Sequence, residues 1–170
     1  MSPVISNPAF AALLAASLVA AVIDLRTRRI PNELTIALTV VGLSLAALGA
    51  SGVSLWGSLA GFVIGLALMT PGYLLGATGA GDVKLMAAVG AVVGPSTVVT
   101  AFLFTAIAGG ILALVIAKRR GRLAATIAGT GRLIVTSADA EAQIRSAPQT
   151  HRFAYGPAIA IGSVLATLVK

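Results

Sequence analysis

Hydrophobicity constrains this chain more than any motif within it. Of its 170 residues, 58% are hydrophobic and 10% are charged, and the mean hydropathy is +1.01. Soluble domains carry roughly a quarter of their residues as charges. The apolar residues gather into six runs, at about 8–25, 33–50, 54–75, 82–94, 97–117 and 154–169. In lipid, backbone amides find partners only within helices or closed barrels, and a crossing helix needs ~20 apolar residues. The expected fold is therefore all-α: a polytopic integral membrane protein of about six transmembrane helices, forming one membrane-embedded domain over residues 1–170. The apolar mass is Ala, Leu, Val, Ile and Gly, with few aromatics. Small residues of this kind let helix backbones approach closely in a bilayer.

The fourth run is short for a crossing. It fits a tilted helix, a locally thin bilayer, or a helix that begins inside a polar cavity; a re-entrant segment is the competing reading. Pro95 and Ser96 read as the turn that follows it. No Lys or Arg precedes the first run, so it reads as a retained helix rather than a cleavable signal. Basic residues set the orientation. Arg26, Arg28, Arg29, Lys84, Lys118, Arg119, Arg120, Arg122, Arg132, Arg145 and Arg152 fall on one side of an alternating six-span layout, whereas GASGVS and GPS on the other side carry no charge. The Arg-rich side is thus expected to be cytoplasmic, with both termini outside. The polar connection at about 118–152 is expected to hold an amphipathic helix lying on the cytoplasmic surface. The net charge of +7 reads as positive-inside topology and contact with anionic lipid, not as nucleic-acid binding.

The residue inventory narrows the chemistry. There is no cysteine and a single histidine, His151. Disulfides, thiolate catalysis and cysteine-bound zinc are excluded, and a histidine zinc site or a Ser-His-Asp triad is disfavoured. His151 reads as a solvated residue of the basic stretch. Five acids remain: Asp24, Glu33, Asp82, Asp139 and Glu141. Asp24 closes the first run in AAVIDLRTRRIPNEL, and Asp82 opens the fourth in ATGAGDVKLMAAVG. An acid beside a membrane span is costly unless it is paired or used. Each also has a plain structural reading: Asp24 as a helix-end acid paired with a nearby arginine, Asp82 as an N-cap after a glycine-rich turn. Two acids at matching depth on the same side form what an aspartyl protease needs. Two close carboxylates share one proton, the ionised member takes a proton from water, and the protonated member donates to the scissile carbonyl. The pair titrates as a unit. Such chemistry needs water but no metal and no organic cofactor.

Three segments carry a specific resemblance. They are Asp24 with Ile30-Pro31-Asn32, then Gly79-Ala80-Gly81-Asp82-Val83-Lys84-Leu85, then Tyr155-Gly156-Pro157-Ala158. In their order and placement the chain resembles the type IV prepilin peptidases, a bacterial family of Gly-x-Gly-Asp membrane aspartyl proteases. The resemblance implies that Asp24 and Asp82 are the catalytic pair. It further implies hydrolysis between a short basic leader and a hydrophobic helix in prepilins and pseudopilins, at the cytoplasmic face of the bacterial inner membrane. The chain lacks the large N-terminal cytoplasmic insertion and the zinc-binding cysteines of the long, bifunctional members, so peptidase activity without N-methylation is expected. The short form is similar to the branch that serves tight-adherence (Flp-type) pili.

The neighbouring residues have two readings each. Gly76, Gly79 and Gly81 open an approach to Asp82 for an extended backbone, or simply form a turn. Lys84 holds an acidic group of the substrate or tunes the pair, or else snorkels to the interface. Pro31 and Asn32 break the chain before the second run, and Glu33 contacts a basic leader or is a helix-start acid. Tyr155, Gly156 and Pro157 shape a substrate groove or form a membrane-entry turn. Trp56 reads as an outer-face anchor, and the Gly61/Gly65 pair as helix packing. Other function classes are a small ion-coupled transporter or channel, which predicts midplane acids and inverted repeats, and a non-catalytic subunit of a pilus or secretion machine.

Overall fold

A computed structural model describes residues 7–75, 78–119 and 155–169. Among these residues there are six helices and no strand. They are α1 (Pro8–Thr27), α2 (Asn32–Ala47), α3 (Leu55–Leu74), α4 (Ala80–Val93), α5 (Pro95–Arg119) and α6 (Gly156–Leu168). All six match apolar runs of the sequence to within a few residues. The connection expected to hold an amphipathic helix, with His151, Arg132, Arg145 and Arg152, lies outside the described residues, as does Gly76.

Local chemistry sets the helix ends. The Asn7 side chain caps α1 by accepting from the Ala9 amide at 2.9 Å, and Pro8 follows at the first helical position, where its missing N–H costs nothing. Ser54 caps α3 by accepting from the Gly57 amide at 3.0 Å. The turn between α4 and α5 differs from the expected Pro–Ser pair. It is Gly94 alone, at φ 82°, because Pro95 is already the first residue of α5. A left-handed residue followed by a proline reverses the chain in a single step. That economy has a consequence for α4. The Ala91 carbonyl would ordinarily accept from residue 95, but proline has no N–H. The buried Ser58 hydroxyl of α3 donates to it instead.

Inward and outward faces differ in size more than in polarity, because lipid is as apolar as a core. Helix α1 buries Ala9, Leu13, Ser17, Ala20 and Asp24, one residue per turn, and turns Leu18, Val22 and Leu25 outward. Helix α3 buries Ser58, Gly61, Gly65 and Met69. Gly61 meets Gly90 of α4 so closely that a Cβ on either would collide with the other's carbonyl, and a Cβ on Gly65 would stand 2.5 Å from the Met86 carbonyl oxygen. The glycine pair in α3 is therefore a packing seam against α4.

Helix α4 is the centre of the molecule. It is buried from Asp82 to Val93 except at Lys84, packing mainly on α3 and α2, while α6 lies between α1 and α5. A helix sheathed by its neighbours need not match the bilayer thickness. Its 14 residues, ~21 Å at 1.5 Å per residue, explain the short fourth run. Among the described residues, three helical segments are long and apolar enough to cross a membrane: Pro8–Thr27, Leu55–Leu74 and Pro95–Val115. Helices α2 and α6 are apolar but shorter. Trp56 sits 80% exposed in the first turn of α3.

Candidate active site

The inward stripe of α1 ends on Asp24, which is 4% exposed. Its Oδ2 accepts a hydrogen bond from the Gly156 amide at 2.8 Å. That amide is the first of α6, so a helix N-terminus, with its unmatched N–H groups and positive dipole end, faces the carboxylate. No side chain fits at position 156. A Cβ there would lie 2.9 Å from both Cβ and Oδ2 of Asp24. Pro157 follows in the first turn. Tyr155 precedes the helix and lays its ring against Gly109 of α5, where a Cβ would come within 2.8 Å of the ring. Tyr155 is also near enough to Asp82 for its phenol to feel that carboxylate.

Asp82 is 6% exposed and stands in the first turn of α4, whose N-cap is Gly79. Sequence reading offers Asp82 itself as the N-cap. The N-cap instead lies three residues earlier, and the Asp82 Oδ2 reaches back to accept from the Gly79 amide at 2.8 Å. This is the carboxylate half of a capping box. Gly81 lies against the Ile30 backbone, where a Cβ would be 3.4 Å from both its N and O. The segment after α1 and the start of α4 thus lie close together.

Both carboxylates open on one cleft of about 290 Å³, lined also by Arg28, Arg29, Ile30, Gly79, Ala80 and Gly81. Here the two arginines line the site, whereas sequence reading uses them for orientation and as a pairing partner for Asp24 at the helix end. Arg28 is the C-cap of α1 at φ 53°, and its amide donates to the Asp24 carbonyl at 2.8 Å. It is the one non-glycine with a positive φ among the described residues. Its charge acts on the Asp24 carboxylate. The signal in the sequence is Pro31, which bars a helix through residue 30 and forces the chain to turn before it.

The other expected site residues divide. Pro31 is the N-cap of α2, at φ −62° and ψ 140°. Asn32 and Lys84 pair with each other, Lys84 Nζ donating to Asn32 Oδ1 at 2.8 Å, but both face a separate groove between α2 and α3. Glu33 sits in the first turn of α2 and is exposed.

The type IV leader peptidase family model matches residues 11–114. The chain belongs to that family. The matched stretch holds Asp24, Ile30-Pro31-Asn32 and the whole segment Gly79–Leu85, with both acids of the cleft; Tyr155-Gly156-Pro157 falls beyond it. Neither a curated protein nor a solved structure matches the chain. Membership of a leader peptidase family, together with the apolar helices, makes this a membrane protein of peptidase lineage.

Proposed function

We propose that this type IV leader peptidase family member is an aspartyl endopeptidase that uses Asp24 and Asp82. Its substrates are prepilins and pseudopilins, cut between a short basic leader and a hydrophobic helix. The observation that carries the reading is the meeting of two buried carboxylates, from the end of α1 and the start of α4, in one cleft. Each is oriented by a backbone amide from a different part of the fold, Gly156 for Asp24 and Gly79 for Asp82. Preorganised donors of this sort hold a reacting group without reorganisation at the moment of reaction.

The chemistry is that of two carboxylates on one cleft which, once brought close around a substrate, cannot both ionise freely. The ionised member removes a proton from water as the water oxygen bonds to the scissile carbonyl carbon. The protonated member gives its proton to the carbonyl oxygen. Collapse of the tetrahedral adduct breaks the C–N bond, the proton taken from water passes to the departing amine, and one hydroxyl proton of the adduct returns to the carboxylate that had donated, restoring the shared proton of the pair. The pair acts as a unit, so neither member is assigned the base role. Gly79 and Gly81 leave room along the cleft for an extended peptide, and Arg28 and Arg29 line the same cleft. The reaction is peptidase chemistry alone, without N-methylation.

In this reading all six helices lie within the inner membrane with α4 enclosed, both termini are outside, and the cleft faces the cytoplasm. The Arg-rich stretch around Asp24 supports that orientation.

The test is leader removal from a co-expressed small prepilin, followed by gel shift and mass spectrometry, in wild type, Asp24→Asn and Asp82→Asn. Cleavage by wild type, lost in both variants at equal membrane levels, is expected. Continued cleavage by either variant would remove that aspartate from the mechanism.

A further inference from the structure

A second depression lies beside the cleft. It runs between α2 and α3, measures about 330 Å³, and has α4 at its head through Lys84. One wall carries Ile36 and Val40, the other Phe62 and Leu66. Each pair is spaced i, i+4, so each wall is a ridge along its helix. Ile36, Val40 and Leu66 are 61%, 56% and 40% exposed. Thr35 and Thr39 also line it, but their hydroxyls donate to α2's own carbonyls, of Asn32 and Thr35. The groove therefore asks its occupant for apolar surface and not for hydrogen bonds.

Its head is different. Lys84 Nζ donates to Asn32 Oδ1, and no ion pair of Lys84 is found among the described residues. These two residues adjoin the cleft on both of its strands of sequence. Asn32 is two positions after Ile30, and Lys84 two positions after Asp82, and both Ile30 and Asp82 line the cleft. The head of this groove thus lies two residues along each of these segments from the lining of the cleft.

The geometry points to this groove as the docking track for the substrate's apolar helix, with Lys84 receiving an acidic side chain from the first turn of that helix. The inference rests on the peptidase reading above. Two i, i+4 ridges flanking a depression are what a third helix packs between. An acid in the first turn of a helix is favoured by its dipole and is opposite in charge to Lys84. The groove thus selects a substrate by the segment that follows the cut, while the cleft handles the bond itself.

The probe is a synthetic peptide with a Lys/Arg-rich leader and an apolar helix of about 20 residues, carrying either Glu or Gln in the first helical turn. The full chain is placed in nanodiscs containing phosphatidylglycerol. A photo-crosslinking amino acid at position 40 or 66 is expected to capture the peptide, and at position 103 or 107 on the outer face of α5 is not. Val40→Trp and Leu66→Trp, which fill the groove, are expected to raise KM about tenfold, equivalent to ~1.4 kcal/mol, with kcat largely kept. Wild type is expected to prefer the Glu peptide, Lys84→Gln to lose that preference, and Lys84→Arg to restore it. Equal capture from both faces, capture of phospholipid in place of peptide, or an unchanged KM in the filled variants would overturn the docking track while leaving the peptidase standing. Capture from 40 and 66 without any cleavage by wild type would do the reverse.

Discussion

Gly156→Ala separates the site from the fold more sharply than removal of an aspartate does. The added Cβ would lie 2.9 Å from Asp24 Cβ and Oδ2 and 3.1 Å from its Cγ, where ordinary contact begins at 3.4 Å. Asp24 or the start of α6 must therefore move by about half an ångström. That is close to the whole tolerance of about 0.5 Å within which a catalytic constellation works. The displaced carboxylate also strains its 2.8 Å bond from the Gly156 amide. Crowding costs ~1–3 kcal/mol, while alanine in place of glycine in a helix returns up to ~1 kcal/mol. Net destabilisation is thus about 1 kcal/mol. Activity suffers far more, because a misplacement of about an ångström costs on the order of 10²-fold; we expect kcat/KM to fall roughly 30- to 100-fold. The assay pairs leader cleavage in nanodiscs with thermal melting followed by circular dichroism. Wild-type kcat/KM in a protein with wild-type melting would refute the reasoning, since it would mean that the position of Asp24 does not matter. A loss of activity no larger than the loss of folded protein would refute it equally.

Other substitutions test the packing and the cleft separately. Gly61→Ala puts a Cβ onto the Gly90 carbonyl, where two backbones must part, so a loss of at least ~3 kcal/mol is expected in melting or in membrane yield. Ser58→Ala leaves the Ala91 carbonyl without its donor, and melting should report ~1–3 kcal/mol. Arg28→Gly relieves a left-handed arginine at φ 53°, worth ~1 kcal/mol or less after the added unfolded-state entropy; melting should hold or rise while kcat/KM falls several-fold as the guanidinium leaves the cleft. Gly110→Ala meets nothing within 4 Å and should raise stability by up to ~1 kcal/mol with cleavage unchanged.

Much of this was readable from the chain because its apolar runs are bounded by strong local signals. Asn7-Pro8, Pro31, Ser54 and Gly94-Pro95 mark the helix ends. Asp24 is legible because it is one of only five acids and closes an apolar run; the structure adds that it continues the α1 stripe of Ala9, Leu13, Ser17 and Ala20. What pattern reading misses is contact between distant segments. Gly156 reads as part of a membrane-entry turn, and its amide on Asp24 appears only once α6 packs against α1. Lys84 follows Asp82 in sequence yet turns to Asn32 and a different groove, since a two-residue step on a helix changes face. The Pro–Ser turn was misplaced by one residue because Pro95 serves equally well as a helix start. The count of crossings is not legible from length alone, because α4 is short for being enclosed, whereas α2 and α6 are short and apolar.

The fold and the cleft depend on one another through α4. The glycines of the α3–α4 seam, Gly61 and Gly65 of α3 and Gly90 of α4, bring the central helix in close, and its first turn then stands beside the end of α1. Burying two carboxylates in a helical bundle is costly unless each is hydrogen-bonded. Here the donors are backbone amides at helix starts, Gly79 for α4 and Gly156 for α6, groups that would otherwise lack partners. Each carboxylate satisfies a helix terminus, and each terminus orients a carboxylate. Removing either acid therefore leaves an amide at a helix start without its acceptor. An Asn variant keeps a carbonyl oxygen for that amide and an Ala variant does not. Comparing Asp24→Asn with Asp24→Ala, and likewise at 82, should then divide the cost: both lose cleavage, but only the alanine variants should lose ~1–3 kcal/mol of stability. Equal melting of the Asn and Ala forms would show that the amide bonds are incidental to folding and serve the site alone.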